Sequence, residues 1–212
     1  MHHLGKSKAK AFGSIVLLLF ISGLFRFVIK QVIFLFVERT NITDRMASMT
    51  AMLILTVFLS GLSKKTKTRL SVFPDQFTVP YIGATVLFAG LLIASPSNER
   101  GGMEPVFLLA YSCIVTPVFE ELLFRGCIWN QQSGSMGKKW ATYLTTTILF
   151  GLWHLVYIDS IAFRAEDGLL SVMVWKVVTG LCFGIVLGAV RMKTKNCYAS
   201  ILLHGAMNLF GR

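Results

Sequence analysis

The sequence predicts an all-α protein, a polytopic bundle of about seven transmembrane helices with an intramembrane active-site pocket. The prediction rests on composition, on the spacing of apolar runs and on polar residues inside those runs. Hydrophobic residues make up 54% of the 212 residues and charged residues only 15%, whereas soluble domains are roughly a quarter charged. The formal net charge is nevertheless +11. This combination is typical of a membrane protein with cations at the membrane surface, and it argues against a soluble enzyme or a nucleic-acid-binding domain.

Seven apolar runs define the predicted helices, because about 20 residues are needed to cross roughly 30 Å of hydrocarbon. The runs lie near residues 11–37, 46–62, 79–94, 106–129, 141–163, 170–190 and 197–210. Arg26 and Lys30 interrupt the first run, which predicts an interfacial segment followed by a span. The last run is short and is expected to cross only in part. We expect one membrane-embedded domain over 1–212, with a core at 105–210 and additional N-terminal transmembrane helices at 1–104.

The connections between these runs alternate in charge along the chain. Lys and Arg are in excess at the N-terminus and near 63–78, 138–139 and 191–195, whereas 95–105 and 159–169 are net acidic. Lys and Arg are retained on the cytoplasmic side during membrane insertion. The pattern therefore predicts a multi-pass protein of the cell membrane with a cytoplasmic N-terminus. Seven spans would place the C-terminus outside.

The densest group of intramembrane charges lies in the fourth run. A charge in hydrocarbon costs at least about 2.5–3.5 kcal/mol, so Glu120, Glu121 and Arg125 need a reason to be there. Glu121 and Arg125 are four residues apart, share a helix face and can pair. Glu120 is rotated by about 100° and is left without that partner. Pro117, one turn upstream, is predicted to kink the helix and free backbone groups near the acids. A structural ion pair with a spare carboxylate is the alternative.

Two later runs carry further polar residues at helical spacing. Phe150 shares a face with His154, and His204 shares one with Asn208. If these faces converge with Glu120, they form one polar pocket. A carboxylate and an imidazole that share a water can deprotonate it, and a second imidazole and an amide can stabilise an oxyanion. Glu120, His154 and His204 could instead bind zinc as a His2Glu set.

Three motifs resemble those of a known family. EExxxR at Glu120 to Arg125, FxxxH at Phe150 to His154, and HxxxN at His204 to Asn208 occur in the order seen in the CPBP family. This family contains the CAAX proteases and bacteriocin-processing enzymes and is also called the Abi family. The resemblance covers about residues 105–210. It implies a glutamate-dependent intramembrane endopeptidase with no metal and no covalent intermediate.

The resemblance also implies roles for individual residues. Glu120 would act as general base on a water held by His154, and His204 and Asn208 would form the oxyanion hole. Glu121 and Arg125 would support this geometry, and Phe150 would line the pocket. No cofactor is expected, although zinc is not excluded. The expected partners are the lipid bilayer and a peptide, leader or prenylated C-terminal tail, with no nucleic acid, and the oligomeric state is open.

Two other functions fit an apolar bundle with buried polar residues. The first is a non-catalytic membrane immunity or scaffold protein that keeps the protease fold. The second is a proton-coupled transporter that uses intramembrane acids and histidines as a relay. Against the transporter, the sequence shows no inverted repeat and no matched pair of broken helices.

Overall fold

Helices account for nearly all of the chain that can be described. A computed structural model describes residues 2–66, 70–96, 102–136 and 139–211. Within these ranges there is no strand, and seven helices follow one another: α1 (His2–Phe34), α2 (Asn41–Thr66), α3 (Val79–Ile93), α4 (103–136), α5 (Lys139–Arg164), α6 (Leu169–Thr194) and α7 (Tyr198–Phe210). The predicted all-α bundle of about seven helices is confirmed.

Five of these helices, α1, α2, α4, α5 and α6, are long and apolar enough to cross a membrane. Helix α3 has 15 residues and α7 has 13, so at 1.5 Å per residue both are shorter than the hydrocarbon layer. By length, the described residues thus contain five helices that can span the membrane and two short ones, and the short α7 agrees with the partial crossing expected for the last run. The long helices expose large apolar side chains such as Phe20, Val57 and Trp175, as expected of surfaces that face lipid.

Part of the loop-charge pattern lies outside the described residues. The side chains concerned are those of Lys6, Lys8, Lys67, Arg69, Glu99, Arg100 and Lys138. The cytoplasmic location of the N-terminus therefore stays a prediction from sequence.

Helix α4 contains two π-helical stretches that set its local geometry. Its α-helical segments Met103–Ala110, Thr116–Glu121 and Trp129–Met136 alternate with the π-helical segments Tyr111–Val115 and Leu122–Ile128. The Thr116 N–H donates to the Tyr111 carbonyl, five residues back. In this register the next donor would be Pro117, which has no N–H and cannot donate to the Ser112 carbonyl. The freeing of backbone groups near the acids by Pro117 stays a prediction from the sequence.

Helices α5 and α6 pack closely through glycines of α6. A Cβ added at Gly180 would lie 2.5 Å from Nδ1 of His154, and one at Gly188 would lie 2.8 Å from the Tyr143 ring. Gly151 of α5 meets Leu181 of α6 in the same way. Small residues commonly allow such contacts between membrane helices. The packing fixes where His154 lies relative to α6.

Arg26 and Lys30 do not divide the first run into two segments, because Ala9–Phe34 forms one candidate span. Helix α1 is continuous, and both side chains are buried. The Lys30 Nζ lies 3.0 Å from Oδ1 of Asp44 and also contacts Asp159. These acids belong to α2 and α5, and they supply the counter-charge that would otherwise have to come from the membrane surface. We call this group the ion network; its members are Arg26, Lys30, Arg39, Asp44, Asp159 and Arg164.

Candidate active site

A cavity of about 1450 Å³ opens within the bundle. Four of the polar side chains selected from the sequence line it: Glu120 from α4, His154 from α5, and His204 and Asn208 from α7. Apolar side chains such as Phe183 line much of the remaining wall. The three helix faces therefore converge, and the pocket expected from the sequence is present.

Glu121 and Arg125 form the pair that their spacing predicts. Oε1 of Glu121 accepts a hydrogen bond from Nη1 of Arg125 at 3.1 Å, and both side chains are buried. The same oxygen lies 3.1 Å from Nδ1 of His204. A carboxylate can only accept when ionised, so this contact fixes the ring of His204 and turns its Nε2 towards Glu120.

Glu120 points away from the Glu121–Arg125 pair. Its Oε1 accepts a hydrogen bond from the hydroxyl of Tyr157. Its Oε2 lies 3.7 Å from Nε2 of His204, which is longer than a hydrogen bond. His204 thus stands between two neighbouring carboxylates, bonded to one and close to the other.

His154 is held in a single orientation by its own helix. Its Nδ1 lies 2.9 Å from the Phe150 carbonyl. A carbonyl only accepts hydrogen bonds, so Nδ1 carries the hydrogen and Nε2 keeps its lone pair. The residue opens the 3-10 turn His154–Tyr157 within α5. Nε2 can accordingly accept a hydrogen bond from a water in the cavity.

Asn208 of α7 reaches the backbone of α4. Its Nδ2 donates to the Ser112 carbonyl at 2.7 Å. Helix α7 comes close enough because Gly205 lies directly against the Cys113 carbonyl. The amide group has a second hydrogen, which is available to a ligand in the cavity.

Phe150 packs at the centre of the cluster. The Arg125 guanidinium lies 4.2 Å from the centroid of its ring. The rings of His154 and His204 meet it edge to face, at centroid distances of 5.2 and 5.8 Å. Six of the seven side chains selected from the sequence thus belong to one connected group, and Asn208 lines the same cavity.

The sequence analysis did not select Tyr157, which is the hydrogen-bond partner of Glu120. Tyr157 follows His154 by three residues, so helical spacing alone would have placed the two on the same face. It also did not predict the contact of Arg26, whose guanidinium lies 4.4 Å from the centroid of the Tyr157 ring.

The zinc set considered from the sequence does not assemble. In the part of the chain that the structure describes, no three His, Cys, Asp or Glu side chains are grouped so that they could hold a metal ion. Glu120 and His204 are close, but Oε1 of Glu120 is already engaged by Tyr157.

A family model described as type II CAAX prenyl endopeptidase Rce1-like matches residues 102–210, about half of the chain. The chain belongs to the Rce1-like family. All seven selected side chains lie within the matched range, and the resemblance drawn from the three motifs is confirmed. Because the Rce1-like family is a protease family of membranes, the chain is a multi-pass membrane protein with a peptidase fold. Neither the scaffold nor the transporter is favoured by this assignment.

One curated relative is similar over much of its length. The UPF0177 protein YxdF of Lactococcus lactis subsp. lactis (strain IL1403) is 26% identical over 137 residues, which cover 62% of this chain and 66% of YxdF. The chain thus spans just under two thirds of the relative that it matches. No solved structure matches the chain.

Proposed function

We propose that this Rce1-like protein is an intramembrane endopeptidase that uses a glutamate-activated water. One observation carries the proposal: Glu120, His154, His204 and Asn208 come from three helices and line a single cavity of the bundle. These residue types supply both a base and oxyanion donors. The substrate is a small peptide, a leader or a prenylated C-terminal tail, presented to the cavity from the membrane.

The proposed reaction begins with a water held between Glu120 and His154. Glu120 removes a proton while Nε2 of His154 accepts a hydrogen bond from the same water, and the oxygen attacks the peptide carbonyl. Asn208 and the doubly protonated ring of His204, which carries a hydrogen on Nε2 while its Nδ1–H bonds Glu121, stabilise the negative charge that develops on the carbonyl oxygen. Glu120 then returns its proton to the leaving amine as the C–N bond breaks. Glu120 thus ends the reaction unprotonated, as it began, and no covalent bond forms between the enzyme and the substrate.

The remaining members of the cluster hold these groups in place. Glu121, fixed by Arg125, bonds Nδ1 of His204, while Phe150 accepts Nδ1–H of His154 through its carbonyl. The loop charges support a cytoplasmic N-terminus, and we treat residues 1–212 as one domain because α1 and α2 pack against the matched core through the ion network.

The decisive experiment compares Glu120→Gln with Glu104→Gln. Glu104 is an exposed carboxylate that lines the same cavity and serves as a matched control. Purified variants are incubated with candidate peptides, and the products are identified by mass spectrometry. We expect Glu120→Gln to lose about 10²–10⁴-fold in kcat, as for other general bases, and Glu104→Gln to retain activity. His154→Ala should resemble Glu120→Gln.

Full activity of Glu120→Gln would contradict the proposal. Inhibition by a chelator, reversed by added zinc, would instead favour the metal-bound alternative. A third outcome would favour a scaffold: the wild type cleaves none of the peptides, and wild type and Glu120→Gln bind a partner equally well.

A further inference from the structure

Helix α1 lies outside the range that the family model matches, yet it contacts the turn that carries His154 and Tyr157. The Arg26 Nη1 donates to the Val156 carbonyl at 2.9 Å. One turn earlier, a Cβ added at Gly23 would lie 3.2 Å from Cγ1 of Val156. Helix α1 therefore packs closely against the 3-10 turn of α5 at two successive positions.

Arg26 is itself held firmly from several sides. Its Nη2 donates to the hydroxyls of Ser48 and Ser160, each at 3.3 Å, and its Nη1 lies 3.6 Å from Asp159. The planar guanidinium is thereby placed over the Tyr157 ring, at 4.4 Å from the centroid. The planar guanidinium can stack flat on a ring while its N–H donors, held in a fixed fork, bond other groups at its edge.

The hydrogen of the Tyr157 hydroxyl has one direction in which to point. Nε1 of Trp153 donates to the hydroxyl oxygen at 3.1 Å, and an indole nitrogen can only donate. The hydroxyl must therefore use its own hydrogen elsewhere. Oε1 of Glu120 accepts it.

We propose that Arg26 and Tyr157 are positioning residues that decide which oxygen of Glu120 acts as the base. Tyr157 occupies Oε1, so Oε2 is the oxygen that takes the proton from water. Oε2 faces His204 Nε2 at 3.7 Å and is committed to no hydrogen bond with it. Arg26 fixes the ring of Tyr157. The inference rests on the proposed function for its catalytic consequence, but the contact itself can be tested separately.

The kinetic test uses Tyr157→Phe with Tyr143→Phe as its matched control. Tyr143 lies in the same helix and donates to the Ile185 carbonyl at 3.0 Å, away from Glu120. A hydrogen bond to a charged group is worth about 10- to 100-fold. We expect Tyr157→Phe to lower kcat by that factor with KM changed less than about threefold, and Tyr143→Phe to leave both unchanged.

Arg39→Met is the matched control for Arg26→Met. It removes a cation from the same ion network but leaves the cation over the Tyr157 ring in place. We expect only Arg26→Met to lower kcat, by about tenfold. The double variant Arg26→Met/Tyr157→Phe should be no slower than Tyr157→Phe alone, because both act through one contact. Fully additive losses would show that Arg26 does not act through Tyr157.

Infrared spectroscopy tests the contact without requiring a substrate. The difference between wild type and Glu120→Gln isolates the carboxylate band of Glu120. Tyr157→Phe should shift that band and Tyr143→Phe should not. Should Tyr157→Phe fail to fold, 3-fluorotyrosine at position 157 keeps the packing, strengthens the donor and should shift the band in the opposite direction.

The two proposals fail in different ways. An unshifted band together with wild-type kcat in Tyr157→Phe, while Glu120→Gln is inactive, overturns the positioning role and leaves the peptidase intact. An active Glu120→Gln protein overturns the peptidase mechanism, and a shifted band would still establish the contact.

Discussion

Two buried groups of charges lie in this bundle, and they are built differently. In the ion network, Asp44 contacts three cations: Lys30 at 3.0 Å, Arg39 at 2.8 Å and Arg164 at 2.9 Å. In the candidate active site, Oε2 of Glu120 has its nearest ionisable partner, His204, at 3.7 Å. The network surrounds its acids with cations, whereas the site leaves one carboxylate oxygen facing a cavity.

The difference shows what each group can do. Charges that compensate one another closely hold helices together, because separating them would expose an unpaired charge to a low-dielectric interior. A carboxylate left partly uncompensated is less favourable for stability but is free to react. Substitutions in the network, apart from Arg26 with its contact to Tyr157, should therefore change stability, and substitutions in the site should change rate.

The largest effect is expected from Lys30→Met in the ion network. The substitution leaves Asp44 and Asp159 without their shared buried cation, and breaking such a pair costs about 3–5 kcal/mol. The free energy of unfolding in detergent micelles should fall by that amount. Lys10→Met is the control, since Lys10 is an exposed cation of the same helix and its loss should cost almost nothing. Equal stability of the two variants would show that the network is not structural.

The next largest effect is expected from Asn208→Ala in the site. Loss of an oxyanion donor typically costs about 10²–10³-fold in kcat, whereas loss of the hydrogen bond to the Ser112 carbonyl costs only about 1 kcal/mol of stability. Asn130→Ala removes a comparable hydrogen bond, from Arg191 at 2.9 Å, outside the cavity. That control should lose stability alone. An unchanged kcat in Asn208→Ala would remove Asn208 from the mechanism.

A smaller effect should distinguish displacement of His154 from overpacking of α5 against α6. Gly180→Ala and Gly188→Ala each add a methyl group to the same tight contact between α5 and α6, against His154 and Tyr143 respectively. Both should destabilise the protein by about 1–3 kcal/mol through overpacking. Only Gly180→Ala should also lower kcat, by roughly tenfold, because it displaces His154. If both variants lower kcat alike, general loosening of the helix pair explains the loss.

The sequence predicted the helices and much of the candidate site because both depend on local spacing. Apolar runs follow from the need to face lipid, and residues four apart share a face, which identified Glu121 with Arg125 and His204 with Asn208. The partners of Lys30 are 14 and 129 residues away, and helical periodicity says nothing about how separate helices dock. Tyr157 was missed for a related reason: its importance comes from Glu120, on another helix.

The π turn at Tyr111–Val115 has a consequence for the adjacent glutamates. Such a turn takes up one residue more than an α turn, and one residue corresponds to about 100° of rotation. If this stretch tightened into an α turn, the chain beyond it would rotate by that angle. Glu120 would then take the direction that Glu121 now has, and Phe119 would face the cavity in its place. The hydrogen-bond register of this one turn thus decides whether this wall of the cavity presents an acid or a hydrocarbon side chain.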